Sequence, residues 1–167
     1  FLVTFTADTN WNGFEDIVFT IDDQNLRFTD SDTVRVRVLA VNDAPVITAL
    51  DTITIYEDSH VAVNLSATDL EGDDLTYIAF SSDTSVIANV SNDTLTLTPE
   101  EDWNGQSAIT VIVTDGSLSD STSFVFTVIP ANDAPELLAL SDTTINEGET
   151  IEIILLANDI DDDGLTY

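Results

Sequence analysis

The sequence predicts an all-β chain of tandem seven-stranded Greek-key sandwich repeats. Three observations carry that expectation. The chain repeats itself at an offset of 90 residues. Its apolar residues alternate with a period of two between Asp, Asn, Gly and Ser clusters. No window shows a capped 3.6-residue period.

The repetition comes first because it sets the domain plan. Asn42-Asp43-Ala44-Pro45 recurs as Asn132-Asp133-Ala134-Pro135. The offset then holds without a gap through Glu57 and Glu147, Ala67 and Ala157, Asp69 and Asp159, to Leu75-Thr76-Tyr77 and Leu165-Thr166-Tyr167. Those 36 aligned positions contain 16 identities, far beyond chance. A second match runs at offset 92, Trp11-Asn12-Gly13 onto Trp103-Asn104-Gly105 and Asp23 onto Asp115, so the earlier copy is two residues longer between Asp23 and Asn42. The expected domains are therefore the C-terminal half of one repeat (1–41), a whole repeat (42–131) and the N-terminal half of the next (132–167). A chain starting at Phe1 is expected to be a piece of something longer.

Within the whole repeat, Val, Ile, Thr and Phe dominate, and these residues suit a pleated, half-buried surface. Strands are expected near 46–55, 60–67, 74–80, 84–90, 93–98, 107–114 and 121–130. Val61, Val63, Leu65 and Ala67 alternate cleanly, as do Leu95 and Leu97, then Ile109, Val111 and Val113. Phe124, Phe126 and Val128 interleave with Val125 and Ile129, so that strand is apolar on both faces in places. Seven strands in about 90 residues read as an immunoglobulin-like Greek-key sandwich, in which the second strand pairs with the fifth and the third with the sixth. Trp103, just before a strand, is read as a core plug, and Pro99 and Pro130 as strand-end residues.

Charge narrows the function. There are 32 acidic residues against Arg27, Arg35 and Arg37, with no lysine and a net charge of -29. Unaided binding to nucleic acid or anionic lipid is excluded, because neutralising phosphates needs clustered Lys and Arg. With no cysteine, disulfides and thiolate chemistry are excluded; with no lysine, so are Schiff bases and Lys–Asn cross-links. A 43% hydrophobic content is too high for an acidic disordered tail. No apolar run reaches the roughly 18 residues of a membrane span. His60 has no serine–acid constellation beside it, and short sandwich-end loops offer paired carboxylates no cleft for glycosidase work, so the chain is read as not an enzyme.

The carboxylates bunch at predicted repeat ends: Glu57-Asp58, then Asp69, Glu71, Asp73 and Asp74, then Glu100-Glu101-Asp102, then Asp115, with Asn132-Asp133 in the linker. Stacked carboxylates repel by roughly 1 kcal/mol per pair at 4 Å in water. With few basic side chains to offset this, a hard cation taking oxygen ligands is the natural partner, and calcium (Ca2+) suits flexible all-oxygen loops better than Mg2+.

At these residues the chain resembles the cadherin-like tandem repeats of large bacterial surface and secreted proteins. The resemblance rests on Ala67-Thr68-Asp69-Leu70-Glu71, Leu75-Thr76-Tyr77, Thr98-Pro99 with Trp103-Asn104-Gly105, Val113-Thr114-Asp115-Gly116 and Asn132-Asp133-Ala134-Pro135. It implies a seven-stranded sandwich with Ca2+ at the junction between successive domains. It also implies the ligands: the spaced acidic pairs Asp69/Glu71 and Asp159/Asp161, the early-strand Glu57 and Glu147, the linker pairs Asn42-Asp43 and Asn132-Asp133, and, more loosely, Asp102 and Asp115. Where the animal cadherin linker has an Asp two residues before its Asn, this chain has Ala40 and Pro130, so one or two ions per junction are expected. Asn10 stands at the position of Asp102 in the first junction, where Asp22 and Asp23 are expected to contribute.

Two other readings of the acid stay open. Asp159 to Gly164 fits the opening of an EF-hand loop, though no helix precedes it. The acid could also be solvated surface that keeps a chain soluble in high salt. The function expected is a structural, calcium-binding segment of an extracellular bacterial stalk, adhesin or filament. Its partners are neighbouring repeats or identical chains packed head to tail. The alternative is a module that recognises a protein or glycan through loops or a sheet edge. Such a module needs exposed aromatics, and Phe14, Phe28, Tyr56 and Phe80 are the candidates, most of them read as core.

Overall fold

A computed structural model describes residues 1–23 and 28–166; Arg27 and Tyr167 lie outside them. The described residues form strands and loops with no helix. In chain order the strands are β1 (Gly13–Asp22), β2 (Thr29–Val38), β3 (Val46–Ile47), β4 (Ile53–Tyr56), β5 (Val61–Asn64), β6 (Ala67–Thr68) and β7 (Thr76–Ser81). They continue with β8 (Val86–Ser91), β9 (Thr94–Pro99), β10 (Gly105–Thr114), β11 (Ser119–Ile129), β12 (Glu136–Leu137) and β13 (Ala157–Asn158).

β3 to β11 pack as a two-layered sandwich. One layer is the four-stranded sheet β4-β11-β10-β7; the other is β5-β9-β8, with the short pair β3-β6 beside it. The expected pairings are present: β5 on β9 (Val61 opposite Leu97) and β7 on β10 (Thr114 opposite Thr76). β8 lies at a sheet edge, bonded to β9 alone. The inward residues are those picked out by the period of two. Leu95, Leu97, Ile109, Val111, Val113, Phe124, Phe126 and Val128 are buried between the layers, with Ile47, Leu65 and Val86. Each large apolar side chain so buried contributes about 1.5–3 kcal/mol. Ser107 is buried among them at no net cost, because its hydroxyl meets Ser81 Oγ at 2.7 Å and the Asp83 amide at 3.2 Å.

Two expectations need correcting. The strand expected over 46–55 is two strands in different sheets. Ile47 pairs with Ala67, the chain then crosses between the layers, and Ile53 begins a parallel pairing opposite Phe126. Asp120 secures the first piece by accepting the Ile47 amide at 3.0 Å. The aromatics read as core are also outside: Phe14, Phe28, Tyr56 and Phe80 are all exposed. The Arg37 guanidinium lies over the Phe14 ring, 5.5 Å from its centroid.

Local structure recurs at the offsets seen in the sequence. β12 pairs with β13 in the register of β3 with β6, 90 residues on (Glu136–Asn158 for Val46–Thr68). The β1–β2 hairpin opens with Gly13 opposite Val38, as β10–β11 opens with Gly105 opposite Val128. The Trp-Asn-Gly motif has a steric cause. Gly105 has φ +151°, and a Cβ there would meet Trp103 Cζ2 at 3.1 Å, so the ring lies flat over a residue that must lack a side chain.

Two outcomes follow for urea unfolding. Phe126→Ala should cost about 3–5 kcal/mol, as a large side chain lost from a closed core. Gly105→Ala should cost about 1–3 kcal/mol through strain and the displaced indole, against a smaller loss for Phe80→Ala on the surface.

Candidate metal centre

Four stretches of chain bring carboxylates together where the sandwich meets the residues after it. The end of β4 supplies Glu57 and Asp58, the turn before β10 supplies Asp102, the linker after β11 supplies Asp133, and the loop after β13 supplies Asp161. Oxygens of Glu57, Asp133 and Asp161 lie within 4.8 Å of one another, as do oxygens of Asp58, Asp102 and Asp133. The two triads share Asp133.

Hydrogen bonds hold this arrangement. Glu57 is buried, its Oε1 accepting the Ala131 amide at 2.7 Å and its Oε2 the Asn104 side chain at 3.0 Å. Asp58 Oδ1 accepts the Asp102 amide at 3.1 Å. Asp161 Oδ2 accepts the Asp133 amide at 2.7 Å, and Asp159 Oδ1 accepts the amides of Asp161 and Asp163. Asn132 caps the linker by donating to the Asp133 carbonyl. Asp133 Oδ2 is buried with no hydrogen-bond partner. An orphaned carboxylate oxygen facing four other carboxylates fits a hard cation with oxygen ligands.

The same electrostatics show in the acidities. Desolvation, then the charges of Asp58, Glu101, Glu57 and Asp161, push the Asp102 carboxyl above its usual value of 3.8. Desolvation, then Asp58, Asp102, Asp161 and Glu57, does the same to Asp133.

The first junction is built alike but charged differently. Asp43 donates its amide to Glu71 Oε2 at 3.2 Å, and Asp69 Oδ1 accepts the amides of Glu71, Gly72 and Asp73. Asp69 Oδ2 is buried without a hydrogen-bond partner. Asn10 lines one groove with Asp43 and Asp69 and has the left-handed backbone of Asp102, φ 63° against 57°. It brings an amide where the second junction has a carboxylate.

The remaining expected ligands fall elsewhere. Asp115 has both oxygens engaged: Oδ1 caps the β10–β11 turn through Ser117 and Leu118, and Oδ2 accepts Asn42 Nδ2 at 2.8 Å. These bonds, Leu118 first, then Asn42 and Ser117, hold its carboxyl below the usual range. Glu147 is exposed and belongs to neither triad. Asp22 closes β1 and Asp23 follows it, a ten-residue strand away from Asn10, so neither reaches the first junction. Asp58, not expected as a ligand, joins the second triad, and Asn104 positions Glu57. A signal for Asp58 existed in the repeat: its left-handed backbone, φ 60°, recurs at Gly148, φ 83°.

Residues 42–128 match the bacterial Ig domain family. The chain belongs to that family. This bacterial Ig domain chain is also 30% identical over 135 residues to a chitinase A of Pseudoalteromonas piscicida, a match covering 75% of the chain. It spans only 16% of that enzyme's length. Among solved structures it is similar to Drosophila N-cadherin EC1-4 at 18% identity and a TM-score of 0.45, covering 75% of this chain and 35% of that one. It is also similar to an endo-fucoidan hydrolase of glycoside hydrolase family 107 at 23% identity and a TM-score of 0.40, covering 70% and 19%.

The shifted acidities in this Ig chain have opposite signs. Raised values mean the folded state binds protons more tightly than the unfolded one. In chelator, the Asp102 and Asp133 contribution is therefore lost as pH rises from 3.8 through their folded values. The stability from Asp115, and from Asp120, which is lowered by the Ile47 and Ser121 amides, is present above 3.8 and lost as pH falls through theirs. Carboxyl-carbon NMR titration in EDTA should show Asp102 and Asp133 above the ordinary range, with Asp58→Asn bringing Asp102 back toward it.

Proposed function

We propose that this chain is a non-catalytic, extracellular spacer segment in which Ca2+ at the junctions stiffens a row of Ig-like repeats, here 1–41, 42–131 and 132–167. The observation that carries the reading is the pair of carboxylate triads sharing Asp133. Their members come from the sandwich (Glu57, Asp58, Asp102), from the linker (Asp133) and from beyond it (Asp161). A cation bound by all three parts fixes the angle between them. Without one, mutual repulsion among these carboxylates pushes the linker away from the sandwich. When bound, Ca2+ supplies charge neutralisation and oxygen coordination; Glu57 and the Asp161–Asp133 bond preset the linker's path.

A second reading has one observation in its favour. Ile78 and Phe80 stand exposed on β7, the free edge of the four-stranded sheet, where a partner protein could add a strand.

The spacer reading is tested by ion specificity. Free Ca2+ at 100 times its dissociation constant adds about 2.7 kcal/mol per site. Millimolar Ca2+ should raise the melting temperature well above that in EDTA with NaCl of equal ionic strength, and Asp133→Asn should remove most of the difference. If molar NaCl, which screens within about 3 Å, stabilises the chain as well as Ca2+ does, the acid serves only as solvated surface.

A further inference from the structure

We propose that β7 is a homodimerisation edge: two copies of this chain pair their β7 strands antiparallel about a two-fold axis at Ala79, joining their four-stranded sheets into one continuous sheet. β7 lies in the middle of the β3–β11 sandwich and, among the described residues, is hydrogen-bonded to β10 alone. The Ser82 amide donates to the Ala108 carbonyl at 2.9 Å, which sets the phase of that ladder. The backbone groups of Thr76, Ile78 and Phe80 therefore face β10, and those of Tyr77, Ala79 and Ser81 face the open edge. Edge strands are commonly blocked by a lysine, a proline, a bulge or an inward charge. β7, Thr-Tyr-Ile-Ala-Phe-Ser, has none of these and pairs with β10 in unbroken register. Ile78 and Phe80 stand 47% and 55% exposed on its outer face.

Charge decides how two copies approach. At a net charge of -29, copies repel wherever their acids face one another. Between residues 42 and 131 the acids sit in loops; among the described residues Asp120 alone lies in a strand, and it is turned to the Ile47 amide. Without a cation, the ends of the sandwich are closed to a second copy and its sides are open. Among the edges on those sides, β4 runs directly into Glu57 and Asp58, and β5 and β8 end on the polar Asn64 and Ser91. β7 presents two large apolar side chains.

The strand is also self-complementary. With Ala79 opposite Ala79 of the second copy, Ile78 stands opposite its Phe80 and Phe80 opposite its Ile78, an aliphatic–aromatic pair made twice. A two-fold contact is isologous and closes at two copies. Pairing of one six-residue strand is a small interface, so the dimer is weak and forms at high concentration. It does not depend on bound calcium, since no member of either carboxylate triad lies on β7.

Sedimentation in EDTA with about 0.5 M NaCl, which screens the like charge of the copies, should show a monomer–dimer equilibrium between about 10 µM and 1 mM. Phe80→Asp should weaken it by about tenfold or more, by setting a charge against the apolar pair. Thr54→Asp, the same charge on the far edge strand β4, should leave it unchanged. Amide exchange of the unmodified chain reads the register. Tyr77, Ala79 and Ser81 should exchange fast in dilute solution and become protected as concentration rises, while Ile78 and Phe80 are protected throughout. A chain that stays monomeric at millimolar concentration, equal weakening by Thr54→Asp and Phe80→Asp, or association that leaves the Tyr77, Ala79 and Ser81 amides unprotected would overturn the pairing.

Discussion

One buried carboxylate organises the exit end of the sandwich. Glu57 follows β4, and its amide bonds to the Ile129 carbonyl, closing the parallel pairing of β4 with β11. Its side chain takes one hydrogen bond from the linker at Ala131 and another from Asn104 of the Trp-Asn-Gly turn. Strand end, turn and linker are thereby tied to a single anion. Burying a carboxylate costs several kcal/mol unless it is hydrogen-bonded, and two donors leave part of its charge uncompensated. The titratable groups clustered with it, Asp58, Asp102, Asp133 and Asp161, are also acids and add to the negative charge there. The direction in which the chain leaves the sandwich and the gathering of acid at that end are therefore one constraint.

The repeat made most of this legible, because it marks backbone as well as side chains. Left-handed positions recur at the sequence offsets: Asn10 with Asp102, Gly13 with Gly105, Asp58 with Gly148, Gly72 with Asp162. Only Gly, Asn and Asp occupy them, the residues that tolerate positive φ at least cost. A position that is Gly in one copy and Asp in another is thus a turn first and a charge second. That ordering explains why Asp58 passed as one acid among many, whereas Asp69, Asp133 and Asp161 were picked out through the resemblance to cadherin-like repeats. Alternation did the same for the core, since Leu95, Leu97, Ile109, Val111 and Val113 all point between the layers.

What the sequence concealed depends on pairing partners distant in the chain. Nothing in residues 46–55 announces that Ile47 belongs with Ala67 while Ile53 belongs with Phe126; both pieces look like one apolar strand. The crossover is decided by the free edges of β6 and β11, which are tertiary facts. Phe80 and Tyr56 misled for a related reason. Aromatics favour strands on either face, so strand propensity alone does not say which way a ring points. Asp115 shows the reverse ambiguity: a carboxylate at a domain end satisfied by turn amides and Asn42 looks, in sequence, identical to one awaiting an ion.

The residue before the Trp-Asn-Gly turn is Asn10 at one junction and Asp102 at the other, and the acceptor of the linker amide is Glu71 at one and Asp161 at the other. Asn10 and Asp102 share a backbone conformation and precede the same Trp-Asn-Gly turn, so geometry does not distinguish them. Charge does. Each pair of carboxylates about 4 Å apart costs about 1 kcal/mol in water and more where solvent is excluded. Replacing one acid by an amide removes several such pairs at once, since Asp102 feels Asp58, Glu101, Glu57 and Asp161 together. At that position an Asn therefore carries less repulsion, and offers less attraction to a cation, than an Asp does. On the spacer reading proposed above, an Asn or Asp before each Trp-Asn-Gly turn would set how strongly each joint answers to the cation concentration around it.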